Sequence, residues 1–325
     1  MRELSTPGVG KTLVLVKMRG RQRGIALMLV LWVITLLTII AVGLTATQRT
    51  EINLAANQVA SASFRAQAEA AIQFTALNLL IQPPGATDEE AFDTHVWLPD
   101  SQPRVWVFGE QVFEIRIINE ASLIDLNTAN RDLLLALLTA VGPLDRDPES
   151  LVDAILDWRD EDDLHLVNGA EDPDYKAAGL PYGAKDGPFD SLEELQQVFG
   201  FNRELYRILR PALTVSSGQA SPDPNFAPPL VQAALQGMSL EEMQDRLETE
   251  AGVLGENPTP KGRGGPLYRI QVRWQAPGGT FRAMETLVRI QQGASPPVEI
   301  LWRSYALAPE QAPGSASGAE EASGS

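Results

Sequence analysis

The sequence predicts an α+β chain: one long N-terminal helix packed on an antiparallel sheet, with a large helical insert interrupting that sheet. Three observations predict it. An uncharged run of 20 residues, Ile25–Leu44, leads into a polar stretch without Gly or Pro. Two blocks of alternating apolar and polar residues, one near 104–119 and one near 267–305, carry the period of strands. Between those blocks, helix caps recur through a strongly acidic segment.

Residues 1–24 hold six basic side chains (Arg2, Lys11, Lys17, Arg19, Arg21, Arg23) and one acid, Glu3. At 1.5 Å per residue the apolar run after them spans a hydrocarbon core of about 30 Å, so residues 25–45 are expected to form a transmembrane helix. The basic flank places the N-terminus in the cytoplasm and the C-terminal bulk across the membrane. A cleaved signal peptide carries a shorter apolar region, ~7–15 residues, with its small residue after it. Here the small residue, Gly24, comes first. An uncleaved signal anchor is the plain alternative. Thr45–Leu80 is rich in Ala, Gln, Leu and Glu, and Pro83-Pro84-Gly85 supplies a stop. One helix is therefore expected from about Ala26 to Ile81, its second half lying on the sheet.

Residues 46–119 are read as this stem and the first strands, Arg104–Asn119 folding as two strands about Gly109-Glu110. Residues 120–225 are read as the acidic helical insert. Asn127-Thr128 is expected to cap a helix ending at Ala140, and Asp147-Pro148 one ending near Arg159. Ser191 and Glu194 form a capping box for Leu192–Phe199, and Asn202 opens a helix stopped by Pro211. Residues 226–306 are read as the remaining helices and strands. Ser239 and Glu242 box a helix reaching Gly255, followed by strands at Leu267–Gln275, Thr280–Gln291 and Val298–Tyr305. In the first of these strands Tyr268, Ile270, Val272 and Trp274 alternate with Arg269, Gln271 and Arg273, one buried face and one wet face. The Gly-, Ser-, Ala- and Glu-rich residues 307–325 are expected to be disordered.

Composition removes several function classes. Against 26 Lys and Arg stand 42 Asp and Glu, a net charge of −16, and the chain after residue 24 keeps 20 basic against 41 acidic side chains. Residues 120–190 alone carry 17 acids and five basic residues, so counterion release cannot drive nucleic-acid binding there. There are no cysteines, hence no disulfide or thiolate chemistry. The two histidines, His95 and His165, lie in polar segments, and the acids crowd together without an apolar pocket to separate their pKa values. The chain reads as a protein that is not an enzyme.

The densest chemistry is Asp157-Trp-Arg-Asp-Glu-Asp-Asp163, followed by Asn168-Gly-Ala-Glu-Asp-Pro-Asp-Tyr175. Hard cations such as calcium take six to eight oxygens from carboxylates, amides, carbonyls and water. Asp160, Asp162, Glu171 and Asp174 are the candidate ligands, with Asp157, Asp163, Asn168 and Asp172 in reserve. The spacing is not that of an EF-hand. On spacing alone, solvated surface charge is the simpler reading.

The order MRGRQRG then IALMLVLW resembles the class III leader of type IV pilins and pseudopilins. The resemblance implies cleavage by prepilin peptidase between Gly24 and Ile25, with Ile25 methylated. A start at Met18 would give a seven-residue leader. Leu29 stands where the family carries Glu, a lack that resembles the K subunit. The run DWRDEDD…NGAEDPDY…GPFDSLEELQQVFG is likewise similar to the insert of the protein K family of bacterial type II secretion. That family implies a pilin-like stem and sheet with a helix-hairpin-helix-like (SAM-like) insert that binds calcium. It implies a minor pseudopilin that, with pseudopilins I, J and H, forms the tip complex initiating and capping the pseudopilus. Prepilin peptidase and the secretion channel are the other implied partners. The expected location is the inner membrane, single-pass, with the C-terminal domain periplasmic. Two rivals stay open: a minor pilin of a type IV pilus, and a membrane-tethered DNA-uptake protein of the helix-hairpin-helix kind.

Overall fold

The computed structural model describes residues 23–81, 97–254, 263–275 and 281–306. The expectations for residues 1–22, His95 and the tail 307–325 lie outside them. The chain divides into two units, Met1–Ala62 and Ser63–Ser325.

Helix α1 runs Arg23–Ile81 without a break. In the first unit its described side chains from Ala26 to Val42 are all exposed, Trp32 at 68%. Its two threonines there return their hydroxyl hydrogens to the helix, Thr35 to the Leu31 carbonyl and Thr38 to that of Ile34, each at 2.8 Å. Among the described residues no helix is long and apolar enough to cross a membrane over an 18-residue window.

In the second unit α1 buries Phe64, Ala68, Ala71, Ile72, Ala76 and Leu79, a face built largely from small residues. Opposite stand Phe113, Ile115 and Ile117 of β2 (Gln111–Asn119) and Tyr268, Ile270 and Val272 of β5 (Leu267–Gln275). Met284, Val288 and Ile290 of β6 (Phe281–Ile290) complete that core. With β1 (Arg104–Phe108) and β7 (Val298–Ala306) the strands form one antiparallel sheet in the order β1-β2-β5-β6-β7. Two-residue alternation drives this layering: β2, β5 and β6 send an apolar set to α1, while β1 turns Trp106 inward and leaves Val105 and Val107 exposed.

Between β2 and β5 lies the insert, with its own core around Leu137, Val152, Trp158, Tyr175, Leu195, Leu209 and Val231. Its helices are α2 (Arg131–Ala140), α3 (Pro148–Arg159), α4 (Asp172–Ala177), α5 (Arg203–Leu209), α6 (Pro229–Gln236) and α7 (Leu240–Leu254). A short parallel pair, β3 (Ile124–Asp125) with β4 (Leu213–Thr214), closes its neck.

Four differences from the sequence reading have local causes. The cap of α2 is Asn130, whose side chain accepts the Leu133 N–H. Asn127 instead exchanges two hydrogen bonds with the Phe189 backbone. The segment boxed by Ser191 and Glu194 makes only a 3₁₀ turn, Leu192–Gln196. Helices α6 and α7, placed by sequence outside an insert ending at 225, bury Leu230, Val231, Ala234 and Met243 in the insert core. Finally, the expected wet face of β5 is covered in part: Arg269 is only 6% exposed. It pairs at 2.6 Å with Glu120, itself fully buried and also accepting the Thr214 hydroxyl.

Candidate cation site in the helical insert

Helix α3 starts at the Asp147 cap with Pro148 in its first turn and ends at Asp160, whose backbone has turned extended. Along it, Asp153 and Asp157 are four residues apart and share a face, which Asp160 continues one turn later. Both inner acids are buried, Asp157 completely. Asp153 accepts from Arg131 Nε at 3.0 Å and from the Asn168 backbone at 3.3 Å. Asp157 accepts the Leu166 N–H at 3.3 Å. These two carboxylates thus fix the loop between α3 and α4 from below. A Cβ at Gly169 would stand 1.8 Å from Asp157 Oδ2, so only glycine lets the loop pass this close.

Above the anchored loop the acids crowd. Asp160 Oδ1 and Glu171 Oε1 are buried and have no hydrogen-bond partner. Burial, and then Asp157, Asp186, Asp160 and Asp163, push Glu171 up to about 7. Burial also pushes Asp157 up against the pull of the Leu166 and Ala170 amides, and pushes Asp160 up with help from Asp162. Asp186 rises through burial, Asp163 and Asp172. Two of these acids, Asp157 and Glu171, are buried beside exposed like charges, a strain relieved by protonation or by a cation.

Of the four candidate ligands, the structure brings Asp160 and Glu171 together. Asp162 turns onto its own loop, accepting the Leu164 N–H at 2.8 Å. Asp174 Oδ2 closes the α4 cap by accepting the Glu171 N–H at 3.1 Å and lies 3.5 Å from His165. Among the reserves, Asp157 and Asp163 belong to the crowd, Asp172 borders it beside Asp186, and Asn168 packs on Asp153. Asp186 was missed; its signal is the Asp-Gly turn, where it takes a left-handed φ of 54°. Asp153 was missed too, though its four-residue spacing from Asp157 shows it. Among the described residues no group of three or more His, Asp or Glu is set to hold a metal ion as it stands. Calcium also draws on carbonyls, amides and water, and the two orphaned carboxylate oxygens suit a hard cation.

Comparison with known proteins gives the fold a context. Residues 113–218 match the family described as type II secretion system protein K. A protein K of type II secretion from Pectobacterium carotovorum subsp. carotovorum is 31% identical over 218 residues, 60% of this chain and 63% of that protein. One from Dickeya chrysanthemi is 34% identical over 79 residues, 24% of this chain and 21% of that protein. Both alignments thus cover less than two thirds of the relative. A chain from the crystal structure of the GspK-GspI-GspJ complex of enterotoxigenic Escherichia coli superposes with a TM-score of 0.54 at 15% identity. It covers 77% of this chain and 97% of its own length.

Proposed function

We propose, from the match of residues 113–218 to the protein K family of type II secretion, that the chain is a minor pseudopilin of such a system. Its α1 and sheet form the pilin-like part, and the helix-hairpin-helix-like (SAM-like) insert is the domain that distinguishes it. The N-terminal half of α1 anchors it in the inner membrane, and the rest faces the periplasm. Prepilin peptidase cuts between Gly24 and Ile25 and methylates Ile25. The chain joins pseudopilins I, J and H in the tip complex that initiates and caps the pseudopilus beneath the outer-membrane channel. Its role is assembly without catalysis.

The observation that carries this reading is the joint presence of the family's insert, spliced between β2 and β5, and an apolar helix preceded by a basic leader. The solved neighbour, which contains GspI and GspJ, supports the choice of partners. Leu29 fits a terminal subunit, because an acid in the bilayer is costly unless a neighbouring subunit's N-terminus pairs with it. Calcium is the proposed ion of the insert, with the orphaned oxygens of Asp160 and Glu171 as the carboxylate groups that would hold it, beside carbonyls and water. Bound there, it would neutralise the crowded carboxylates and fix the loop between α3 and α4.

Coexpression with prepilin peptidase tests the assignment. The intact mass of the mature chain should show residues through Gly24 removed and one methyl group added; a retained leader refutes the pseudopilin reading. Copurification of tagged pseudopilins I and J with the chain is the matching test of partnership.

A further inference from the structure

The sheet face turned away from α1 is only half covered. Towards β7 it meets the insert across a cleft of about 740 Å³, lined by Leu192, Tyr206, Val215, Arg273, Glu285 and Trp302 among others. Towards β1 no described element covers it. Register places Val105 of β1 beside Glu114 of β2, and Glu114 beside Arg273 of β5. One row further along, Val107 stands beside Val112. Val105 is 71% exposed, Val107 62% and Val112 56%. Among the described residues no strand pairs with the outer edge of β1. An exposed, valine-rich edge strand is a hazard unless something covers it.

Charge on this face differs from the rest of the chain. Four guanidinium groups (Arg116, Arg210, Arg269, Arg273) face four carboxylates (Glu114, Glu120, Glu193, Glu285), a neutral patch on a protein of net charge −16. The pairs are unevenly shared. Glu120 is spent on Arg269, and Glu285 on Arg210 and Gln271. Glu193 meets the Tyr206 hydroxyl. Glu114 is taken by Arg116 at 2.8 Å and reaches Arg273 only at 4.0 Å. Arg273, with Glu114 as its loose 4.0 Å partner, stands between the cleft and the valines, and is pushed below its usual pKa by burial, Arg116 and Arg210 against the pull of Glu114 and Glu285.

We propose that this half-open face binds an extended segment of a partner protein in which a carboxylate lies beside apolar side chains. The carboxylate sits in the fork of Arg273, a geometry that guanidinium matches with two parallel hydrogen bonds. The apolar side chains cover Val105, Val107 and Val112 on one side and enter the cleft between Val215 and Trp302 on the other. Elsewhere this strongly acidic chain repels such a segment, so binding is confined to this patch. The inference uses only this face and stands whether or not the pseudopilin reading does.

The experiment uses the full chain in detergent micelles and a fluorescein-labelled synthetic dodecapeptide alternating serine with valine, one central valine replaced by glutamate so that carboxylate and valines share a face, read by fluorescence anisotropy against empty micelles. Saturable binding is expected, weakened about tenfold or more when glutamine replaces glutamate in the peptide. Arg273→Glu and Val107→Glu should each weaken it to the same degree. Val107 is exposed on an edge strand, so its variant keeps the test valid should Arg273→Glu fail to fold. Absence of saturable binding overturns the proposal, as does equal affinity for the glutamine peptide. Undiminished affinity in a folded variant of either residue overturns it too.

Discussion

Glu171 is the residue on which the acidic site turns. Its carboxyl is pushed up to about 7 from an ordinary 4.5, so between those values the folded chain holds a proton that the unfolded chain has released. Stability contributed by that proton is present below pH 4.5 and is lost as pH rises through 7. In chelator, the melting temperature should therefore fall between pH 5 and pH 8, a loss on the order of 2–3 kcal/mol. Saturating calcium should flatten that slope. Glu171→Gln should flatten it without calcium and remove most of the calcium-induced rise in melting temperature. Calorimetry across pH checks both outcomes. Gly169→Ala tests the same site through sterics, because the added Cβ collides with Asp157. It should weaken calcium binding more than it lowers stability in chelator, as titration calorimetry would show.

At the scale of elements, α6 belongs to the insert because its apolar side packs on the insert's core, where Val231 is fully buried. Val231→Ala should cost about 1–3 kcal/mol in denaturant unfolding, where a linker residue would cost almost nothing. The sequence announced α3, α5, α7 and all five long strands, since each carries a cap or an alternation that works over a few residues. It did not announce α4 or the β3–β4 pair, which are six and two residues long. Nor did it show that α6 joins α2, because tertiary packing rather than propensity decides such a contact. The acidic site was half legible for the same reason. Asp160 and Glu171 were found from composition, but Asp186 reaches them only through the fold, and Asp174 was diverted by the cap it makes.

For the molecule as a whole, the buried Glu120–Arg269 pair is the rivet between insert and sheet. Glu120 sits where the chain leaves β2, and Arg269 lies on β5 after the chain has returned. Breaking one side strands a buried charge, so Glu120→Ala should destabilise the second unit by about 3–5 kcal/mol. The double variant Glu120→Leu with Arg269→Met should recover much of that loss, and a double-mutant cycle in urea measures the recovery.

That the insert interrupts neighbouring strands bears on how fast the sheet can form. Asn119, at the end of β2, accepts the Gly265 N–H across 146 intervening steps of sequence. Strands β2 and β5 sit side by side, so the centre of the sheet closes only when that span has closed. Ring closure over so long a chain is entropically slow unless the span is already compact. An insert that folds first, its neck drawn shut by β3 and β4, hands the sheet two ends already near each other. The acidic domain then works as a timer for the sheet, and a cation that steadies the insert should hasten the pairing of strands it never touches.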